Sequence, residues 1–235
     1  MLVWVASFPR SGNTFLRIIL HRLYGIRAST VYDVDGVAER LGEELIGYTD
    51  RPGSVADVRA SDAIHFIKTH RQRDADIDEH DPAICLVRDG RDALVSWARQ
   101  ASEDDPSTYE AELRAKILRV GAVSAGSWGS NVLSWLRPPA QHRVMLRYED
   151  LIRDPRAAVE HAVTRVAPAL AMLPSATIPS LDELRRHDHR FFRRGRVGSH
   201  QDELPADLHQ LFWSRPDNQA AMKLLGYDRP NTGGA

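Results

Sequence analysis

An internal disulfide is closed to this chain. Its 235 residues include one cysteine, Cys85, which also excludes any multi-cysteine metal cluster. That residue stands in the apolar run Ala83-Ile84-Cys85-Leu86-Val87, where a small buried side chain is expected and a reactive thiol is not. Long hydrophobic runs are missing too. Residues 2–6 are apolar, but no basic region precedes them and Pro9-Arg10 ends the run. It is too short for a signal peptide or a membrane span, so a cytoplasmic protein without a membrane partner is expected. An excess of one charge is also absent: 31 basic against 32 acidic residues leave a formal net charge of −1. That balance speaks against a general nucleic-acid binder, which carries a broad basic surplus.

What is present suits a packed globular fold. Hydrophobic residues make up 43% and charged residues 27%, and the length fits one sizeable α/β domain rather than two. The domain is placed at 1–228, with a disordered tail expected at 229–235. Leu2-Val3-Trp4-Val5-Ala6-Ser7 reads as a fully buried strand. Residues 8–13 form a turn with Pro9 and Gly12. Phe15, Leu16, Ile18, Ile19, Leu20 and Leu23 then recur at helical spacing as far as Gly25, a fitting residue just past a helix end. Strand, tight loop and helix in this order recur in mononucleotide-binding folds.

Further strands are expected at 63–68, 84–87 and 143–148, and helices at 92–100, 109–120 and 155–166. Strands alternating with helices imply an α/β fold with a P-loop-like parallel β-sheet flanked by helices on both faces. Residues 26–62 and 101–127 show no clear strand pattern. They are either acceptor-binding loops at the carboxyl ends of the strands or plain connecting structure.

Four segments carry chemistry. In Ser7-Phe8-Pro9-Arg10-Ser11-Gly12-Asn13-Thr14-Phe15, Gly12 lets backbone approach a ligand, and amides of residues 11–14 would face an anion at a helix N-terminus. Arg10 adds a cation and Thr14 a hydroxyl. The second glycine and the lysine of a Walker A loop are missing. In Ile67-Lys68-Thr69-His70, a strand-end histidine has the right ordinary pKa to take a proton from a hydroxyl, and the lysine can stabilise charge on a leaving oxygen. In the segment from Val87 to Ser96, Arg88 and Ser96 can together hold a phosphate, or Asp89 or Asp92 simply cap a helix. Lastly, Phe191-Phe192-Arg193-Arg194-Gly195-Arg196-Val197-Gly198 belongs to a stretch with six arginines between Arg185 and Arg196. Such a run is either a solvated face or a backbone-and-guanidinium wrap around phosphate.

In this order, the four segments resemble the sulfotransferases that use 3′-phosphoadenosine 5′-phosphosulfate (PAPS). Residues 7–15 resemble the family's 5′-phosphosulfate loop, Y-P-K-S-G-T-T-W, and residues 67–70 its K-T-H segment. Residues 87–96 resemble its 3′-phosphate signature, and residues 192–198 its R-K-G-x-x-G loop. Tyr148-Glu149-Asp150 matches a Y-E-D whose tyrosine lies near the adenine. The departures are Arg10 for lysine, Phe15 for tryptophan, and Ser199-His200 where Asp-Trp is usual.

The resemblance implies a sulfotransferase that moves a sulfuryl group from PAPS to a hydroxyl or amine of a small-molecule acceptor, leaving PAP and needing no metal. It implies that Arg10 and the amides of Ser11, Gly12, Asn13 and Thr14 hold the 5′-phosphosulfate. Arg88, Ser96, Arg193, Arg194 and Gly195 hold the 3′-phosphate, with Phe15 and Tyr148 near the adenine. His70 is the base, and Lys68 and Arg10 stabilise the bridging oxygen. Two rivals remain: a P-loop-type kinase with Asp89 or Asp92 on magnesium, and a non-catalytic nucleotide or RNA binder built on the arginine run. A zinc site from His187, His189 and His200 is weaker than either.

Overall fold

The computed structural model describes residues 1–74, 77–119 and 125–227. The expected tail at 229–235 and the last residue of the expected helix 109–120 lie outside them. Among the described residues a five-stranded parallel sheet runs in the order β2-β3-β1-β4-β5, with β1 (Leu2–Ser7), β2 (Ala28–Thr30), β3 (His65–Thr69), β4 (Ala83–Val87) and β5 (Arg143–Arg147). Helices cover both faces, as the alternating pattern requires.

Strand β1 lies at the centre, paired with β3 through Leu2↔His65 to Ala6↔Thr69 and with β4 through Trp4↔Ala83 to Ser7↔Leu86. A strand between two helical layers must be apolar on both sides, and every residue of β1 is buried. Its alternate side chains feed separate cores. Val3 and Val5 join Leu16, Leu20 and Val163 from the helices Asn13–Tyr24 and Pro155–Val166. Leu2, Trp4 and Ala6 join Ile67, Cys85 and Trp135 on the other face. Burial there pushes the Cys85 thiol up to about 12, which makes it an inert core residue. The edge strand β5 alternates instead, with Val144 and Leu146 inward and Met145 outward.

Two differences from the sequence reading stand out. Strand β2 lies within residues 26–62, where no strand pattern was visible; three residues are too few to show a period. Tyr148 leaves the sheet and opens the helix Tyr148–Arg153. The consequence for function is simple: residues 8–12, His70, Arg88 and Tyr148 each follow the carboxyl end of β1, β3, β4 or β5, the edge at which open parallel sheets place ligands.

The helices Trp128–Leu136 and Pro216–Leu225 meet at Gly129, whose amide donates to Asn218 Oδ1 at 3.1 Å. A Cβ on Gly129 would lie 2.3 Å from the Asp217 carbonyl carbon. Alanine is the better helix former by ~1 kcal/mol, but the backbone clash opposes it, and overpacking costs ~1–3 kcal/mol. Gly129→Ala should therefore lower the urea midpoint. A raised midpoint would show that the two helices separate freely.

Candidate active site

The loops at the carboxyl edge enclose a cavity of about 970 Å³. Its first wall is the β1 loop, which reverses through two left-handed residues, Arg10 at φ 62° and Gly12 at φ 102°. Gly12 is required twice over, because a Cβ there would also sit 2.6 Å from Tyr148 Cδ2. Gly12 caps the helix Asn13–Tyr24, so the amides of Asn13, Thr14 and Phe15 occupy its first turn, where no intrahelical carbonyl can take them. Gly12, Asn13, Thr14 and Phe15 all line the cavity.

Ser11 does not line the cavity: its hydroxyl is buried, and its amide donates to the Phe8 carbonyl at 3.3 Å. It shapes the turn. The Asn13 side chain also turns inward, donating to the Val5 carbonyl and Ser7 Oγ at 3.1 Å each.

Arg10 reaches across to the second and fourth segments. Its Nε donates to Ser96 Oγ at 3.3 Å, an Nη donates to the Phe191 carbonyl at 3.2 Å, and its guanidinium stacks 4.4 Å from the Phe191 ring centre. Burial lowers its pKa to about 10, and the neighbouring Arg88, Arg40 and Arg193 charges add to the effect. Arg88 donates to the backbone carbonyls of Arg10 and Arg196 at 3.1 and 3.2 Å and stacks 4.2 Å from the Tyr148 ring centre. Its buried Nε has no hydrogen-bond partner among the described residues. Here guanidinium charge is concentrated out of water, an arrangement suited to an anion.

Arg193, Arg194 and Gly195 complete the wall, but the two arginines are already paired. Arg193 holds both Glu203 oxygens at 3.0 Å, and Arg194 is 3.2 Å from Asp202 and from Glu203. Sequence reasoning missed these two acids, and it missed the role of Asp92. Asp89, not Asp92, caps the helix Gly90–Ala101. The fully buried Asp92 accepts from the Gly198 and His200 amides at 2.8 Å and from His200 Nδ1 at 2.7 Å, fastening the arginine loop to that helix.

His70 follows β3. Its Nδ1 lies 2.8 Å from the Ser7 carbonyl, an acceptor only, so that nitrogen carries the proton and Nε2 keeps its lone pair. Asn131 donates to its carbonyl at 2.9 Å, and its amide donates to Tyr32 Oη at 2.9 Å. Burial and the Lys68 charge press its pKa down to about 3, so the ring is neutral at physiological pH. Lys68 is buried 3.5 Å from Asp35 Oδ1, and Asp35 Oδ2 pairs with buried Arg17 at 2.6 Å. Both His70 and Lys68 line the cavity. Of the stretches lacking a strand pattern, 26–62 contributes Gly36, Val37 and Arg40 to its lining, and the described part of 101–127 contributes none.

The family model described as the sulfotransferase domain matches residues 2–164. The chain belongs to the sulfotransferase family. That match spans the β1 loop, His70, Arg88, Ser96 and Tyr148, and stops before the arginine loop. The chain is 27% identical over 169 residues to the WSCD family member GA21586 of Drosophila pseudoobscura pseudoobscura, covering 68% of this chain and 50% of that protein. It is 25% identical over 158 residues to the WSCD family member AAEL009094 of Aedes aegypti, covering 65% and 46%. The chain thus spans about half the length of the curated relatives it matches.

Two solved structures share the fold. Mouse sulfotransferase SULT7A1 complexed with PAP is 16% identical, with a TM-score of 0.63 over 96% of this chain and 88% of that one. Retinol dehydratase in complex with androsterone and inactive cofactor PAP is 17% identical, with a TM-score of 0.60 over 98% and 83%. Among the described residues no helix is long and apolar enough to cross a membrane.

The Asp92 fastening predicts a coupled loss. Burial alone would raise this carboxyl, but the His200 bond and Arg88 outweigh it and hold it below the usual range. Its contribution is therefore present above the ordinary carboxylate pKa and fades as pH falls through the lower folded value. Asp92→Ala should cost about 3–5 kcal/mol, the scale for removing one partner of a buried pair. It should also speed tryptic cleavage at Arg193, Arg194 and Arg196. Wild-type cleavage rates there would show that the loop is held by other means.

Proposed function

We propose that this sulfotransferase moves a sulfuryl group from PAPS to the hydroxyl or amine of a small-molecule acceptor, and that it does so in the cytoplasm. One observation supports the choice of donor: a single cavity is lined by two groups whose chemistry suits an anion. One is the unclaimed first-turn amides of residues 13–15. The other is the Arg10–Arg88–Ser96 group, in which Arg88 is buried and its Nε has no hydrogen-bond partner among the described residues. A nucleotide with phosphate at both 5′ and 3′ positions satisfies both. The PAP in the two structures of like fold supports the same donor.

In this reading the helix amides hold the 5′-phosphosulfate, while Arg88, Ser96 and Gly195 hold the 3′-phosphate. Arg193 and Arg194 join them with charge already shared by Glu203. Tyr148 and Phe15 flank the adenine. The acceptor oxygen or nitrogen attacks sulfur in line as His70 Nε2 takes its proton. The bond from sulfur to the bridging oxygen breaks, and that oxygen leaves with the electron pair as the 5′-phosphate of PAP.

Lys68, two residues before the base and on the cavity wall, neutralises the leaving oxygen. Arg10, through its bonds to Ser96 and Phe191, serves the 3′ side as well. A base with a pKa of about 3 is a weak one, but bound phosphosulfate opposes the Lys68 charge and raises it towards a useful range. Magnesium-dependent kinase chemistry is disfavoured because the carboxylates it would use are committed: Asp89 to Arg91 at 2.6 Å, and Asp92 to Gly198 and His200.

Cofactor choice tests the donor. PAP should bind much more tightly than ATP without magnesium, and Arg88→Ala should weaken PAP binding by about 1.5–3 kcal/mol. Comparable affinity for ATP, strengthened by magnesium, would overturn the reading. The base is tested separately. His70→Ala should keep its PAP affinity while single-turnover transfer falls by ~10²–10⁴. Full transfer in the folded variant would remove His70 from the mechanism.

A further inference from the structure

Arg17 stands on the buried face of the helix Asn13–Tyr24, in a position where an apolar residue would pack. It is 1% exposed and its Nε has no hydrogen-bond partner among the described residues. A buried ion pair is seldom worth more to stability than hydrophobic residues of the same volume, so stability alone does not account for it. Its partner is Asp35, which divides its two oxygens. Oδ2 pairs with Arg17 at 2.6 Å, while Oδ1 accepts from the Val37 and Ala38 amides at 3.1 and 3.3 Å and faces Lys68 Nζ at 3.5 Å. Two buried cations thus share one carboxylate, and the lysine has the longer contact.

That division matters for the reacting group. Facing Asp35 alone, Lys68 would close to an ordinary charge-assisted bond and its charge would be cancelled. Facing Arg17 alone, a buried ammonium would lose its proton. With both present, burial and Arg17 draw the Lys68 pKa below the ordinary lysine value while Asp35 opposes them, and Lys68 is held at one end of its reach with its other donors kept for the cavity it lines. The remaining groups around it are Tyr32, whose ring centre lies 5.7 Å from Nζ, and neutral His70; the Tyr48 ring faces Arg17 at 5.9 Å.

The geometry points to Asp35 as a positioning residue for sulfuryl transfer, balanced by Arg17: together they hold the Lys68 ammonium beside the reacting group without neutralising it. The role rests on the sulfuryl-transfer reading. Neither residue touches substrate; both act through Lys68.

The test uses the full chain, PAPS with an accepted acceptor, and lysine labelled with ¹³C at Cε. Lys68, Lys116 and Lys223 are the chain's three lysines, so the signals are few. Asp35→Asn keeps an oxygen for the Val37 and Ala38 amides, removes the charge and turns the oxygen facing Arg17 into an amide NH2. Its Lys68 signal should titrate at lower pH, the alkaline limb of turnover should move the same way, and turnover should fall on the order of 10- to 100-fold at near-constant PAP affinity. Arg17→Met leaves Asp35 to Lys68 alone, so the titration and the limb should move to higher pH.

Opposed shifts cannot come from general destabilisation. In a Lys68→Gln background, Asp35→Asn should add little further loss of turnover. Shifts in the same direction, an unchanged Asp35→Asn, or losses that multiply in the double variant would overturn the assignment. Should either variant fail to fold, the other fixes the sign. Should both fail, a wild-type Lys68 titrating at the ordinary ~10.4 would overturn it, and a lower value would sustain it. A wild-type protein that transfers nothing from PAPS would sink the sulfotransfer reading, while the titrations would still decide the coupling.

Discussion

Positive charge brought out of water and only partly neutralised is the constraint around which this molecule is arranged. Arg10, Arg17, Lys68 and Arg88 all lie at or beneath the carboxyl edge of the sheet; buried Asp35 answers Arg17 and Lys68, and buried Asp92 answers Arg88. Each carboxylate does more than pair. Asp35 also opens the helix Gly36–Leu41, and Asp92 also ties down Gly198 and His200. Neutralisation and construction fall to the same two carboxylates. A dry core could not hold this much unpaired cation without another use for it.

The predominance of arginine over lysine in the chain fits that constraint. A guanidinium stays charged when buried and offers a planar set of donors that reach backbone carbonyls in several directions. Arg88 bonds the carbonyls of Arg10 and Arg196, and Arg185 bonds those of Phe192, Arg193 and Arg194. The arginine loop is thus held by arginines as well as being made of them. Lysine is kept at position 68, where a compact charge that responds to its neighbours is of use.

His70 depends on the same field. The Ser7 carbonyl fixes its tautomer, while burial, helped by the Lys68 charge, keeps it neutral. The residue that fixes the proton is on β1 and the one whose charge helps is on β3. The parallel pairing of those two strands, with Ala6 opposite Thr69, brings them to one place. The placing of His70 is a consequence of sheet register.

The sequence by itself determined the sheet and the family. Continuous apolar runs at residues 2–6 and 83–87 read as strands buried on both sides, and Gly12 and Gly25 punctuate the first helix through conformations that other residues resist. Strong local periods and ordered motifs survive without tertiary knowledge. Strand β2, with three residues, has no period to read. Nor did the sequence disclose that Ser11 faces away from the cavity, that Arg193 and Arg194 share Glu203, or that Asp92 holds the arginine loop and Asp89 caps the helix. The coupling of Asp35 to Arg17 and Lys68 was equally hidden, since those residues stand 18 and 33 positions apart. Which acid meets which base is decided by distance in the folded state, and electrostatic energy follows that distance and the local exclusion of water, not spacing along the chain.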